Sequence, residues 1–389
     1  MLTSNIKFIN YYNINKKKKF ELYKLKKLAW IKKFKFLLSF TKDYKYSYSK
    51  QTVKKFKKFN NYRIIGMGGS VLGSKAIHQF LQHKIKKKFE FIDDLKPNIT
   101  DQYKLKKKIL NVIISKSGNT LETISNFNIL VRNNSTNIFI TEKKNNYLRN
   151  IANKLKSEIF EHKDFIGGRY SVLSEAGMLP AELMGLNEKK FKKFNSLVSN
   201  NNFLYNLINN VNFTLKFVKQ KKLNSIILNY DERSENLFKW YQQLIAESLG
   251  KKSKGILPMI SAMPKDNHSI LQLYLDGPKK NFYTFFSVDT LRSPKIQNKF
   301  VLNSFSYLKN KSLYEILISQ KKATENVFRN KKIPFRVFEI INRNEETLGE
   351  LFCFFVLETI LLGRALNVNP FDQPSVELVK KETKKIFFR

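Results

Sequence analysis

A run of hydroxyl-bearing residues around one glycine, Ser115 to Thr120, has the composition of an anion-binding turn. It follows the β-branched run Val112 to Ile114, which predicts a strand, and precedes residues compatible with a helix. Free N–H groups at a helix start carry partial positive charge, and hydroxyl groups can add hydrogen bonds to the same anion. The hydroxyls of Ser115, Ser117 and Thr120 could therefore converge on one phosphate, although an ordinary hydroxyl-rich helix cap would look similar.

A second turn with the same character lies earlier in the chain. Residues 63–65 are apolar enough for a short strand and lead straight into Gly66-Met67-Gly68-Gly69-Ser70. Glycines let the backbone approach a ligand closely, and Ser70 stands where a helix would begin. A plain tight strand–helix turn is the alternative, because a lone GxGG is a weak signal.

Three further residues could do acid–base or electrostatic chemistry. Arg169 follows two glycines in a loop, where a guanidinium is accessible to an anion, although most arginines in surface turns are only solvated. Glu247 lies near the end of a helix predicted over about 235–248, where pairing with a lysine would be the ordinary role. His268 stands in a polar turn, Asp266 to Ser269.

The elements that must position these residues alternate between strands and helices. Beyond the strand at 112–114, strands are predicted at Phe89–Ile92, Asn137–Ile140, Ser225–Leu228, Phe282–Phe286 and Pro334–Ile340. Such alternation indicates parallel sheets, whose ligands bind at the carboxyl ends of the strands. A long apolar helix over about 345–365 is predicted to be buried, and a short final helix follows the turn at 371–375. We expect a helical lead-in at residues 1–58, one α/β domain at 59–190 and a second at 191–389.

The strongly basic composition does not by itself indicate a nucleic-acid or membrane ligand. The 389-residue chain has 72 basic and 31 acidic residues, a formal net charge of +41, and a hydrophobic fraction of 42%. Lysines are spread along the whole chain, and this distribution is typical of solvated surfaces rather than of one binding face. We therefore expect neither nucleic acid nor membrane as a partner, but the charge should help to attract a small anionic substrate.

Cysteine and histidine usage argues against disulfides and metal sites. The one cysteine, Cys353, lies in an apolar run and predicts a buried, inert thiol. Four histidines occur without HxxxH or CxxC spacing, so no metal ligand set is predicted. The first twenty residues lack the apolar core of a signal peptide, and charges interrupt the run around Cys353, so it is too short for a membrane span. A soluble cytoplasmic protein is expected.

Six ordered motifs together resemble the signatures of the glucose-6-phosphate isomerase family. They read GMGGSVLG, SKSGNTLET, GGRYSVLSEAG, AESLGK, NHS around His268, and NPFDQPSVELVK, and they span Arg63 to Lys380. The resemblance implies two doubly wound parallel-sheet domains of the flavodoxin-like, sugar-isomerase type, with an N-terminal helical segment and C-terminal helices. It also implies cofactor-free interconversion of glucose 6-phosphate and fructose 6-phosphate, a step of glycolysis and gluconeogenesis.

The resemblance further implies roles for individual residues. Glu247 matches the base that shuttles a proton between C2 and C1 through an enediolate, and Arg169 matches the residue that stabilises this intermediate. His268 matches the ring-opening acid, which in this family comes from the neighbouring subunit and implies a homodimer with shared sites. Lys380 matches a lysine that assists ring opening, and Gln373 a substrate contact. The remaining substrate-binding residues implied in the same way, most of them around the phosphate, are Gly68, Gly69, Ser70, Ser115, Lys116 (through its backbone N–H), Ser117, Thr120 and Thr123.

Two departures from the family pattern leave alternatives open. The segment Ser117-Gly118-Asn119 stands where many relatives have Thr-Phe-Thr, a form closer to dual phosphoglucose/phosphomannose isomerases. Ser375 replaces a glycine that is usual before the Val-Glu pair. A dual isomerase is therefore one alternative, and a non-catalytic domain that senses sugar phosphates is another. A sensor would not need Glu247, Arg169, His268 and Lys380 together.

Overall fold

Two five-stranded sheets organise the computed structural model, which describes residues 1–11, 34–99, 108–132, 135–290 and 293–388. The strands of this part of the chain, numbered in order, are β1 (Ile6–Ile9), β2 (Asn61–Gly66), β3 (Lys88–Ile92), β4 (Ile109–Ile114), β5 (Thr136–Thr141), β6 (Glu158–Glu161), β7 (Asn224–Asn229), β8 (Leu257–Ala262), β9 (Asn281–Val288) and β10 (Phe335–Ile340).

Helices connect the strands and cover both sheets. In the described residues they are α1 (Lys50–Phe56), α2 (Leu72–Phe80), α3 (Leu121–Leu130), α4 (Tyr147–Lys154), α5 (Glu175–Leu183), α6 (Phe194–Val198), α7 (Asn201–Lys219), α8 (Glu235–Leu249), α9 (Leu271–Asp276), α10 (Leu313–Asn330), α11 (Glu345–Ala365) and α12 (Val376–Phe387). Short 3₁₀ helices include Gly68–Ser70, Gly168–Leu173 and Lys265–His268.

The first sheet is entirely parallel and has the strand order β3-β2-β4-β5-β6. This is the flavodoxin-like order, so its topological switch point lies between β2 and β4. All six residues of β4 are buried, as expected of a central parallel strand that is covered on both faces. Gly66 and Ile114 are register partners at the carboxyl ends of these strands, so the two turns singled out from the sequence leave the sheet side by side.

The second sheet repeats the parallel pattern and adds one antiparallel edge. Its order is β1-β10-β9-β7-β8, and β7 to β10 are parallel to one another. Strand β1 pairs antiparallel with β10, and Ile6 is the partner of Ile340. The predicted fold class of two α/β parallel-sheet domains is confirmed, and the added strand comes from the N-terminus.

The prediction that residues 1–58 form helices is wrong at Ile6–Ile9, which form β1. This strand buries Ile6 and Phe8 and exposes Lys7 and Ile9, and a period of two over four residues is too short to stand out in the sequence. Residues 50–56 are helical as expected. The amphipathic pattern that includes Phe20, Leu22, Leu25, Leu28 and Trp30 lies outside the described residues, and the domain boundaries stay a prediction.

Helices of the two domains pack directly on each other. Helix α8 lies along α2, and Gln79 of α2 donates to the backbone oxygen of Glu232 (2.9 Å) and accepts from the backbone N–H of Asn236 (2.8 Å). Helix α11 has the predicted bounds and is buried along most of its length. Its Cys353 is 1% exposed, and burial raises the pKa of the thiol, so the predicted buried cysteine is confirmed. None of the helices described is both long and apolar enough to cross a membrane.

Candidate active site

Arg169 stands at the centre of a hydrogen-bonded cluster between the two domains. It lies in the 3₁₀ helix Gly168–Leu173 and is 3% exposed. Its Nη1 donates to Glu247 Oε2 (3.1 Å) and to Gln373 Oε1 (3.0 Å). Its Nη2 donates to the backbone oxygens of Pro370 (2.6 Å) and Asp372 (3.0 Å). Three predicted site residues far apart in the chain, Arg169, Glu247 and Gln373, are therefore joined directly.

The carboxylate of Glu247 is held at both oxygen atoms. Oε2 faces Arg169, and Oε1 accepts a hydrogen bond from Gln243 Nε2 at 2.8 Å. Gln243 lies one helical turn earlier on α8, on the same face as Glu247. The side chain of Glu247 keeps 26% of its surface exposed whereas that of Arg169 keeps 3%, so the carboxylate forms the open side of the pair. A carboxylate fixed in this way beside a guanidinium can accept a proton next to a developing negative charge.

The glycine turn after β2 packs against this cluster, backbone on backbone. A Cβ on Gly69 would lie 2.2 Å from the carbonyl carbon of Gly168, so only hydrogen fits there. Gly68 has a φ of +51°, and a Cβ on it would lie 2.9 Å from Gln243 Nε2. Ser171 Oγ donates to Gly69 O at 3.2 Å. The turn that carries Gly68, Gly69 and Ser70 therefore fixes the position of the arginine-bearing segment.

The hydroxyl-rich turn after β4 is ordered by its own side chains. Ser115 Oγ lies 2.8 Å from Thr120 Oγ1 and accepts from the N–H of Gly118 (3.2 Å). Gly118 has a φ of +66°, which favours glycine, and its position against Asn146 leaves no room for a Cβ. Ser117 Oγ accepts from the N–H of Asn119. Thr120 occupies the N-cap position of α3 without a capping bond from its side chain, so these hydroxyls stand at a helix N-terminus.

Two more residues of this turn have distinct surroundings. The ammonium of Lys116 donates to Asp164 O (2.6 Å) and pairs with Glu142 (3.5 Å), which ties the turn to the loop that leads to Arg169. The hydroxyl of Thr123, in the first turn of α3, is buried and has no hydrogen-bond partner in the described part of the protein. An acceptor-rich anion bound at the turn would supply one.

The profile of the family described as phosphoglucose isomerase matches residues 37–261, which include the glycine turn, the hydroxyl turn, Arg169 and Glu247. The chain belongs to this family. A protein named glucose-6-phosphate isomerase from Methanocaldococcus jannaschii is 34% identical over 352 residues, which cover 85% of this chain and 86% of the relative.

Solved structures with low sequence identity share the fold of this phosphoglucose isomerase family member. A hypothetical protein from Thermus thermophilus superposes with a TM-score of 0.82 at 24% identity, over 94% of each chain. A glucose-6-phosphate isomerase from Chlamydia trachomatis superposes with a TM-score of 0.71 at 19% identity, over 87% of this chain and 72% of that one.

His268 does not join the cluster within one chain of this phosphoglucose isomerase family member. It is exposed and lies past the carboxyl end of β8. Gln242 of α8 donates to Pro258 O, near the amino end of β8 and so away from His268. Glu247 follows Gln242 by more than one helical turn in the same direction, still farther from His268. Helix α8 rises about 18 Å between Glu235 and Glu247. Glu247 and His268 therefore lie at opposite ends of one β–α–β unit.

Lys380 also lies apart from Arg169. Its ammonium donates to Glu377 at 2.7 Å within α12, and no residue of α12 is buried. The turn before this helix is anchored, because Lys251 pairs with Asp372 (2.7 Å) and Arg169 bonds to Pro370 and Asp372. Gln373 is thus fixed in the cluster, and the helix that follows it extends into solvent.

Sequence reasoning missed three residues of the cluster: Gln243, Ser248 and Tyr170. Gln243 could have been found from its i, i+4 spacing to Glu247 on a predicted helix. Ser248 and Tyr170 are each adjacent to a predicted site residue, but their hydrogen bonds depend on tertiary packing.

Among the described residues, no three His, Cys, Asp or Glu side chains lie close enough to hold a metal ion.

Proposed function

We propose that this chain is a glucose-6-phosphate isomerase that interconverts glucose 6-phosphate and fructose 6-phosphate without a cofactor. The contact between Glu247 Oε2 and Arg169 Nη1, in a member of the phosphoglucose isomerase family, carries the proposal. Isomerisation needs a base that removes a proton beside a carbonyl and a cation that stabilises the resulting enediolate. These two groups lie 3.1 Å apart beside a turn suited to phosphate.

In the proposed reaction, Glu247 takes the proton from C2 of the open-chain aldose and returns it to C1. Arg169 Nη1 stabilises the enediolate oxygen that gains negative charge between the two transfers. Gln243 keeps the carboxylate oriented, because it donates to the oxygen that does not face Arg169. Gln373 accepts a hydrogen bond from the same Nη1, and we assign it a contact with the sugar.

The substrate phosphate is assigned to the turn after β4, with hydroxyls from Ser115, Ser117 and Thr120 and with Ser70 from the neighbouring turn. The side chain of Lys116 is engaged by Asp164 and Glu142, so the backbone N–H of this residue is its contribution to the site. The unpartnered hydroxyl of Thr123 supports an anion at this helix start. Gly68 and Gly69 allow the backbone to approach the ligand.

Ring opening is assigned to His268 of a second copy of the chain, assisted by Lys380. The separation of His268 from Glu247 within one chain supports a homodimer in which each site takes its histidine from the other subunit. Lys380 reaches the sugar if α12 folds over the cluster from its anchored turn. We place the enzyme in the cytoplasm.

A coupled assay of fructose 6-phosphate conversion tests this proposal on the wild type and on Glu247→Gln. We expect turnover by the wild type, and in the variant a loss of about a thousandfold in kcat with retained substrate binding, because the amide cannot accept the proton. Glu235→Gln is the matched control, since this residue lies on the same helix and pairs with Lys239 on the surface. Binding of the sugar phosphate by the wild type without turnover would instead establish a sensor.

A dual phosphoglucose/phosphomannose isomerase is the second candidate, favoured by the small residues of the phosphate turn. Gly118 places no side chain over this turn, and Asn119 Oδ1 accepts from the backbone N–H of Tyr147 at 3.0 Å instead of pointing at a ligand. Turnover of mannose 6-phosphate at a rate comparable to that of glucose 6-phosphate would establish the dual activity. A rate at background would exclude it.

A further inference from the structure

A closed ring of hydrogen bonds lies behind Arg169, on the side away from Glu247. Arg169 Nε donates to Ser248 Oγ (2.8 Å), and Ser248 Oγ lies 3.0 Å from the hydroxyl of Tyr170. That hydroxyl donates to Pro370 O (2.9 Å), which also accepts from Arg169 Nη2. Ser248, Tyr170 and Arg169 are all at least 97% buried, so each bond is shielded from water.

The chemistry of the groups fixes the direction of every proton in this ring. Pro370 O can only accept, so the single hydrogen of the Tyr170 hydroxyl is committed to it. Ser248 Oγ must then donate its own hydrogen to Tyr170, and its lone pair accepts from Arg169 Nε. One arrangement therefore satisfies all members of the ring, and the loss of either hydroxyl leaves a buried group unpaired.

The ring holds one edge of the guanidinium and leaves Nη1 to Glu247 and Gln373, the two side chains proposed to act on the substrate. Nε and Nη2 are committed to Ser248, Pro370 and Asp372, whereas Nη1 faces Glu247 on the open side. Resting on the proposed function, we propose that Tyr170 and Ser248 are positioning residues for the isomerase reaction. Together they hold Arg169 Nη1 toward the enediolate and fix the turn that carries Gln373.

This role concerns the transition state more than substrate binding. The phosphate turn lies on another strand end and shares no hydrogen bond with the ring, so it still binds the ground state when the ring is broken. Arg169 acts on charge that develops during proton transfer, and a misplacement of about 1 Å can cost on the order of a hundredfold in rate. Breaking the ring should therefore lower kcat far more than it raises KM.

The test uses Ser248→Ala, Tyr170→Phe and the double variant in the full-length protein, with Tyr230→Phe as control. Tyr230 is equally buried, and its hydroxyl contacts Thr324 on α10, which carries no site residue. Each single variant should lose about tenfold to a hundredfold in kcat with KM within about threefold of wild type. The kcat of the double variant should be close to that of the less active single variant, because either change opens the same ring. The control should keep its kcat.

A second measurement does not depend on turnover: hydrogen exchange of the backbone amide of Phe371, which donates to Asn369 Oδ1 (3.1 Å) at the start of this turn. We expect faster exchange there in Tyr170→Phe and wild-type protection in Tyr230→Phe. Unchanged exchange, or additive losses in kcat that follow only the melting temperature, would overturn the positioning role. A wild type without isomerase activity would refute the proposed function, and the exchange data would still decide whether the ring holds the turn.

Discussion

Arg169 uses all five of its guanidinium N–H groups on oxygen atoms of its own chain. Only a planar fork can reach Ser248, Glu247 and the Pro370–Gln373 turn at once, so lysine cannot replace it. Arg169→Lys should lose about a hundredfold or more in kcat, because an ammonium has three donors and no fixed edge. Steady-state kinetics with fructose 6-phosphate measure this effect.

The control for that change is Arg329→Lys, an exposed arginine whose Nη1 donates to Asn326 on the same helix. It should leave kcat within about twofold, as expected of a surface substitution. Full activity of Arg169→Lys would show that charge alone is enough and that the fork geometry has no part in the reaction.

His162 gives the stability of the protein a specific dependence on pH. It is 1% exposed, and burial lowers the pKa of its imidazole to about 4 from 6.5. Below pH 6.5 the unfolded chain therefore binds a proton that the folded chain does not, and stability falls as the pH drops toward 4. From pH 7 to 4.5 this residue should remove about 2 kcal/mol from the free energy of unfolding.

Urea denaturation of the wild type and of His162→Gln at both pH values measures this effect. The variant keeps a polar group that can reach Lys163 O but has nothing to titrate, so it should lose about 2 kcal/mol less than the wild type. Equal losses in the two proteins would mean that His162 is protonated in the folded state.

At the scale of elements, the close contact between the turn at Gly68–Ser70 and the segment at Gly168 sets the geometry of the site. A methyl group on Gly69 would meet the backbone of Gly168 and Arg169 within 2.6 Å. Gly69→Ala should therefore push these segments apart and reduce kcat by about a hundredfold, because Arg169 moves with its segment. Activity and melting temperature measured together test this expectation.

Gly167→Ala is the matched control two positions from Arg169. Its nearest neighbour would be a ring carbon of Tyr170 at 3.4 Å, and its φ of −67° suits any residue. It should keep near-wild-type activity. If both alanine variants behaved alike, the contact between the two turns would have no special importance.

Runs of β-branched or aromatic residues made most strands predictable, whereas three strands were missed. Strand β8 begins Leu257-Pro258, and proline, which cannot donate to a ladder, disfavours a strand; it is tolerated here because β8 lies at the sheet edge. Strands β1 and β6 have four residues each, so their alternation is too brief to separate from loop sequence. Both are also edge strands, where one side needs no partner.

The site was predictable as a set of residue types but not as a network. Arg169, Glu247 and Gln373 stand out through their motifs, and the structure joins them. Arg169 is held by the carbonyl oxygens of Pro370 and Asp372, and no pattern of side chains in the sequence shows where a backbone oxygen will point. Ser248 and Tyr170 have ordinary residue types whose importance arises only from contacts about 200 and 80 positions apart.

At the scale of the whole molecule, the separation of His268 from Glu247 predicts that two inactive variants can restore activity together. In a mixed dimer of Glu247→Gln and His268→Ala chains, one site has both substitutions and the other has neither. Random reassortment makes half of the dimers mixed, so about a quarter of wild-type activity should return. Refolding the two proteins together and assaying isomerase activity tests this.

Mixing Glu247→Gln with Arg169→Lys provides the control, because both residues belong to the same chain's cluster. No site in that mixed dimer is intact, so activity should stay at the level of the parents. Recovery in both mixtures would point to something other than shared sites, and recovery in neither would show that Glu247 and His268 of different chains do not form one site.

The pairing of Ile6–Ile9 with Val337–Ile340 joins segments that a ribosome produces far apart in time. At about 5 to 20 residues per second, β1 emerges roughly 20 to 60 seconds before β10 exists. The first sheet, whose strands all lie between residues 61 and 161, can form during that interval. The edge of the second sheet is closed only when synthesis is nearly finished, so until then the nascent chain carries an apolar strand without a partner, which chaperones can bind.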